Sequence, residues 1–197
     1  MLVGGLGKGG KSFYALDVTT PVAAANTEAD IIAAQKVLWE FTHADMGYSY
    51  GKPLMVKTNA HGWVVILTSG YNNPSGDGKV YFVNPRTGTL LTSPGFPGYL
   101  STGVGTAADP SGLAQVAGYV RNFRNQVVDQ LYAGDLLGNL WRFDVTNADP
   151  ALWSVDRLAV FNRGGPQPIT TAPQIEIDLA TGSDRWVFVG TGRLLHD

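Results

Sequence analysis

The 197-residue sequence has no cysteine. Disulfide scaffolds, thiolate zinc sites and cysteine nucleophiles are excluded at once. Charge is sparse too: Asp, Glu, Lys and Arg make up 15% of the residues, with a formal net charge of −2 and no basic run. That argues against nucleic acid and against an anionic membrane surface as partners. No apolar run approaches the roughly 18 residues of a membrane helix. Met1-Leu2-Val3 runs straight into glycines, without the basic start and apolar stretch of a signal peptide. Histidine is limited to His43, His61 and His196, scattered with no i, i+4 pair, so a catalytic or metal role for them is not expected. No serine sits at a Gly-x-Ser-x-Gly elbow, and no Ser-His-Asp arrangement can be nominated.

What remains is 44% hydrophobic, with 25 glycines and 8 tyrosines, a balance that suits a turn-rich β protein. A repeat organises it. Gly10-Lys11-Ser12-Phe13-Tyr14-Ala15-Leu16-Asp17, Gly78-Lys79-Val80-Tyr81-Phe82-Val83-Asn84 and Gly138-Asn139-Leu140-Trp141-Arg142-Phe143-Asp144 share one plan: glycine, an apolar-aromatic strand, then an acidic or amide residue. A less complete copy begins at Gly192. Asp17 and Asn84 are 67 positions apart, Asn84 and Asp144 60. That period is long for one blade of a propeller but leaves room for four strands with loops.

Each copy follows another strand ending in a small residue: Leu2–Gly5, Trp63–Gly70, Gln130–Gly134 and Trp186–Gly190. Runs this rich in Val, Ile and aromatics, bounded by Gly and Asn, read as strands joined in hairpins. Pro53–Lys57 and Ala114–Tyr119 read as inner strands, Val37–Thr42 and Ser154–Phe161 as outer ones. The expected fold is all-β, a partial β-propeller with about two complete four-stranded blades, 53–92 and 113–161. A blade end over 1–42 and a blade start over 172–197 flank them, and alanines over 21–36 suggest a short helical insertion. Closed propellers have at least four blades, so this chain reads as part of a larger assembly whose open strand edges invite self-association.

Gly5-Leu6-Gly7-Lys8-Gly9-Gly10-Lys11-Ser12 matches the phosphate-binding pattern G-x-x-x-x-G-K-[ST]. That chemistry needs a helix after the glycines, whereas an aromatic strand pattern follows, so the glycines read as hairpin residues. Asp17, Asn84 and Asp144 read as turn formers that accept backbone hydrogen bonds two residues on. The five tryptophans, Trp39, Trp63, Trp141, Trp153 and Trp186, read as core material between blades. The loop before Asp129 carries the one metal-type pattern. Oxygens at 121, 123, 125 and 129 would resemble a calcium loop, but only Asn125 and Asp129 supply them; Arg121 and Phe123 hold the other two positions. Calcium takes six to eight oxygens, so weak binding or none is expected. No other cofactor is.

Several separated runs resemble the PilY/PilC-type proteins of type IV pili. They are Gly9–Val18, Val37–Phe41, Asp45–Pro53, Ser69–Asn73 and, most specifically, Asp129-Gln130-Leu131-Tyr132-Ala133-Gly134-Asp135-Leu136-Leu137-Gly138-Asn139-Leu140-Trp141-Arg142-Phe143-Asp144. The resemblance implies a modified propeller in the C-terminal part of a larger exported protein at the bacterial cell surface, pilus tip or periplasm. It implies no enzyme activity, and roles in pilus extension, twitching motility and adhesion. The implied partners are pilin or minor pilins, the remainder of the pilus-tip protein and a host surface. Members of that family often carry a calcium loop just before the strand matching Asp129–Gly134, where this sequence departs from the pattern. The competing reading is a quinoprotein dehydrogenase propeller, because Asn84-Pro85-Arg86-Thr87-Gly88 approaches its Ala-x-Asp-x-x-Thr-Gly repeat. Such an enzyme needs a cofactor bed built by a complete ring.

Overall fold

The computed structural model describes residues 1–20, 36–122, 124–182 and 184–193. The expected helical insertion over 21–36 lies, apart from Lys36, outside the described residues. The first sheet is antiparallel in the order β1 (Leu2–Gly5), β2 (Phe13–Leu16), β3 (Val37–Phe41). A four-stranded blade follows, β4 (Leu54–Thr58), β5 (Gly62–Thr68), β6 (Lys79–Val83) and β7 (Tyr99–Ser101). The next blade contains β8 (Val116–Asn122), β9 (Val127–Gly134), β10 (Asn139–Asp144) and β11 (Ser154–Val160). A hairpin of β12 (Gln174–Ile177) and β13 (Arg185–Phe188) ends the described chain. A single parallel bridge, Lys57 to Val127, joins the two complete blades through β4 and β9.

The architecture is the all-β partial propeller expected. One boundary needs correction: the blade expected over 53–92 runs on to Ser101, where β7 pairs with β6. Pro94, Gly95, Pro97 and Gly98 interrupt the strand pattern there, and the chain loops out before returning as the fourth strand.

Period-2 alternation in β5 and β6 explains how the blades stack. Val64, Ile66, Val80 and Phe82 point to one side and pack with Val128, Leu131, Trp141, Phe143 and Trp153 of the following blade. Val65, Leu67, Tyr81 and Val83 point to the other and pack with Phe13, Ala15, Trp39 and Phe41 of the first sheet. A strand buried on both faces reads as an unbroken apolar run, and every residue of Lys79–Val83 is buried. Each such side chain contributes about 1.5–3 kcal/mol.

Candidate functional site: the seams between blades

At one end of the stack, the segments entering each blade hydrogen-bond to the hairpin turns of two blades. The Gly47 and Tyr48 N–H groups donate to Ser69 O and Tyr71 O at 2.8 and 2.7 Å, while Ser49 donates to Gly10 O at 3.2 Å. Leu113 O accepts from Gly70 N at 2.9 Å, and Ser111 O accepts from Leu136 N at 2.7 Å. Ile169 N donates to Asp135 O at 2.9 Å. Backbones come so close here that a Cβ on Gly70, at φ +68°, would stand 2.1 Å from Tyr48 O. Only glycine fits.

The segment matching the phosphate-binding pattern is one of these hairpin turns. Leu6 and Gly7 N–H groups are engaged by Ser49 Oγ and O at 2.9 and 3.2 Å, and Phe13–Leu16 is a strand, not a helix. Lys11 reaches Asn72 O at 3.4 Å and lies 5.4 Å from the Tyr48 ring centre. Among the described residues, no helix N-terminus faces these glycines.

The first seam carries a charge network in which a buried Lys79 meets two half-buried carboxylates. Lys79 Nζ is paired with Asp45, from the segment after β3, and with Asp77 at 3.0 Å. Asp45 also accepts from Ser75 N and Oγ at 2.7 and 2.6 Å, and Asp77 accepts from Ser101 Oγ at 2.6 Å and Gly103 N at 2.9 Å. Burial pushes the Asp45 carboxyl up, but its bonds to Lys79 and Ser75 outweigh that and hold it below the usual range. Burial pulls Lys79 down, and its two carboxylates outweigh that and raise it. Tyr81 donates to Asp45 O at 3.0 Å and contacts His43 Nδ1 at 3.4 Å; burial of its hydroxyl pushes the phenol well above its usual range.

Inside the second complete blade, Asp135 is fully buried in the turn between β9 and β10. Its carboxylate accepts from Asn139 N and Nδ2, both at 2.8 Å, and from Trp141 Nε1 at 2.9 Å.

Of the two nominated metal residues, Asp129 stands at the seam between this blade and the β12–β13 hairpin and Asn125 does not. Asn125 lies in the exposed turn between β8 and β9, where its Oδ1 accepts from Val127 N at 3.0 Å. Asn122 Oδ1 accepts from Arg124 N at 3.0 Å. Asp129 stands within β9, 3.6 Å from the guanidinium of Arg185 on β13. That guanidinium also donates to Gln130 Oε1 and lies 4.0 Å from the Tyr119 ring centre. A cleft of about 490 Å3 borders it, and a second of about 430 Å3 is lined by Tyr119, Ile175 and Ile177. Among the described residues, no cluster of three or more His, Asp or Glu could hold a metal ion.

Asp17, Asn84 and Asp144 behave as the turn chemistry predicts, accepting from Thr19 N, Arg86 N and Thr146 N at 2.9, 2.8 and 3.1 Å. The tryptophans divide. Trp39, Trp141 and Trp153 are buried, whereas Trp63 and Trp186 are 49% and 57% exposed. The core reading of those two is corrected: each stands where no further strand of the described chain covers it. His196 lies outside the described residues. The Lys79–Asp45 and Arg185–Asp129 pairs carried no sequence signal, because the two seams join residues 34 and 56 positions apart. Asp135 had one, its place in the turn run Gly134-Asp135-Leu136-Leu137-Gly138-Asn139.

Residues 1–197 match the family described as the PilY1 beta-propeller domain. A type IV pilus biogenesis factor PilY1 homolog of Xylella fastidiosa is 35% identical, aligned over all of this chain and 14% of its own length. The type IV pilus biogenesis factor PilY1 of Pseudomonas aeruginosa is 32% identical, again over all of this chain and 17% of its own length. The chain therefore spans about one-sixth or less of these curated relatives. The crystal structure of the Pseudomonas aeruginosa PilY1 C-terminal domain superimposes with a TM-score of 0.75 at 30% identity, covering 97% of this chain and 40% of that one.

Proposed function

Because the chain belongs to the PilY1 beta-propeller domain family, we propose that it is a non-catalytic propeller segment that serves type IV pilus biogenesis through protein–protein contacts. The match over the whole chain carries this reading. The chemistry of the seams supports it. Lys79, Asp45, Asp77 and Asp135, the side chains best suited to acid–base work, are each tied into networks that hold turns and blades together.

The partners on this reading are pilin or minor pilins and the remainder of a larger pilus-tip protein at the cell surface. Pilus extension, twitching motility and attachment are the processes served. Strands β1 and β13 each end their sheet, and such edges accept a strand from a second chain. Self-association is a second use of the same edges.

The test is binding of the immobilised chain to purified type IV pili and to soluble minor-pilin domains, beside an unrelated propeller. Saturable binding to a pilus component is expected. Silence toward all of them overturns the reading. Dye-linked alcohol oxidation with added pyrroloquinoline quinone and calcium is expected to give no turnover; turnover would move the assignment to the quinoprotein class.

A further inference from the structure

Among the described residues, the loop before Asp129 does not supply the ligand set of a calcium ion. Asn122 and Asn125 each direct the side-chain oxygen to a backbone N–H of the same turn, and Asp129 is paired with a guanidinium. Six to eight free oxygens cannot be gathered from this set.

We propose that Arg185 supplies the cation at Asp129, so that its guanidinium is a metal-independent clamp fastening the β12–β13 hairpin to the preceding blade. Arg185 opens β13, directly across from Ile177 of β12. From there it meets three residues of β8 and β9: the Tyr119 ring face, Gln130 Oε1 and the Asp129 carboxylate. A planar, delocalised cation can stack and donate in this way at once; a lysine ammonium cannot. The side chain is 10% exposed, so the pairing is little screened by solvent.

The clamp matters because the seam around it is open. One cleft, bordered by Tyr132, Arg142 and Leu158, lies on one side of Arg185. The other lies between Gly118–Val120 and Ile175–Ile177. The seam between the two complete blades is instead filled by a continuous buried apolar cluster. The segment entering the hairpin is held by the Ile169 N–H bond to Asp135 O at 2.9 Å, while within the hairpin itself docking thus leans on one side chain. The Gln130 amide relays its position onward, donating to Asp144 Oδ2 at 3.3 Å while its carbonyl accepts from Tyr132 Oη at 2.7 Å.

Hydrogen exchange read by mass spectrometry tests this, on the natural chain, R185Q and R185K, each in calcium and in chelator. R185Q should speed exchange over 174–188 on the order of tenfold, leaving 54–101 unchanged. R185K should fall between. Calcium should alter none of the three. Unchanged exchange over 174–188 in R185Q overturns the proposal, as does protection of 119–130 by calcium in the natural chain. Should R185Q melt the whole chain, R185K decides: acceleration confined to 174–188 supports the clamp, and uniform or absent acceleration overturns it. No pilus component enters the measurement, so its result is separable from the assignment to pilus biogenesis.

Discussion

The indole N–H of Trp141 donates to Asp135 Oδ2 at 2.9 Å, anchoring a core tryptophan on a carboxylate with no measurable exposure. Asn139 donates to both carboxylate oxygens, from backbone and side chain. Asp135→Ala strands three buried N–H groups, and leaving such donors unpaired costs about 1–3 kcal/mol apiece. We expect a net loss of about 3–5 kcal/mol in urea unfolding, with Asp135→Asn losing less. A loss under about 1 kcal/mol would mean that water replaces the carboxylate.

Lys79→Met leaves Asp45 and Asp77 facing each other without their cation. Breaking a buried pair from one side costs about 3–5 kcal/mol, and the fuller replacement by apolar groups costs less. The triple variant Asp45→Leu, Asp77→Leu, Lys79→Met should therefore be more stable than Lys79→Met alone. Equal or lower stability of the triple variant would show that the hydroxyls of Ser75 and Ser101 matter more than the charges.

The same pair sets a plateau in stability against pH. Asp45 is held below its ordinary value of 3.8, so its contribution is present above that pH and is lost as pH falls through the depressed native value. Lys79 is raised above 10.5, so its contribution is present below that pH and is lost as pH rises through the raised native value. Lys79→Met should remove the alkaline edge from a thermal-melting profile and weaken the acid one, because Ser75 still donates to Asp45.

His61 gives a third pH signature. Its Nε2 is buried without a hydrogen-bond partner, beside Phe96 and Trp153 at 6.1 and 6.0 Å between ring centres. Burial alone pulls the imidazole below 6.5, so the unfolded chain takes up the proton first. Stability should be full above pH 6.5 and fall as the medium is acidified toward the native value. His61→Phe should flatten melting temperature between pH 5 and 7; an unchanged slope would assign that pH dependence to other groups.

Gly138 and Gly103 separate crowding from backbone strain. Both have positive φ, +82° and +67°. A Cβ at Gly138 would lie 2.2 Å from Phe161 O, whereas at Gly103 nothing stands within 4 Å. Gly103→Ala should cost about 1 kcal/mol, the left-handed penalty alone. Gly138→Ala should cost at least about 2 kcal/mol more, because β10 must move away from the segment after β11. Equal losses would show that the turn shifts freely.

Strands were legible where the alternation or an unbroken apolar run was strong. Val64–Leu67 and Val80–Val83 are buried on both faces, and their composition says so. Tyr99–Ser101 was not legible, because three residues behind a Pro-Gly loop carry too little pattern. Asp17 and Asn84 reveal their role through a partner two residues away. The Asp45–Lys79 and Asp129–Arg185 pairs depend on which blade lies against which, information that no local window holds. Trp63 and Trp186 look like core residues because their strands repeat those of the stacked blades, yet burial depends on a neighbour and not on the strand itself.

The hydrogen-bonded segments that run from one blade into the next also bear on how the chain would yield to a pull. The bonds from Gly47 and Tyr48, and those at Leu113 and Ser111, must break before the blade that each segment enters can be drawn away from it. Once one set yields, a repeat of about 60 residues pays out roughly 200 Å of slack chain at about 3.4 Å per residue. Force spectroscopy on this chain should therefore show lengthening in discrete steps of that size.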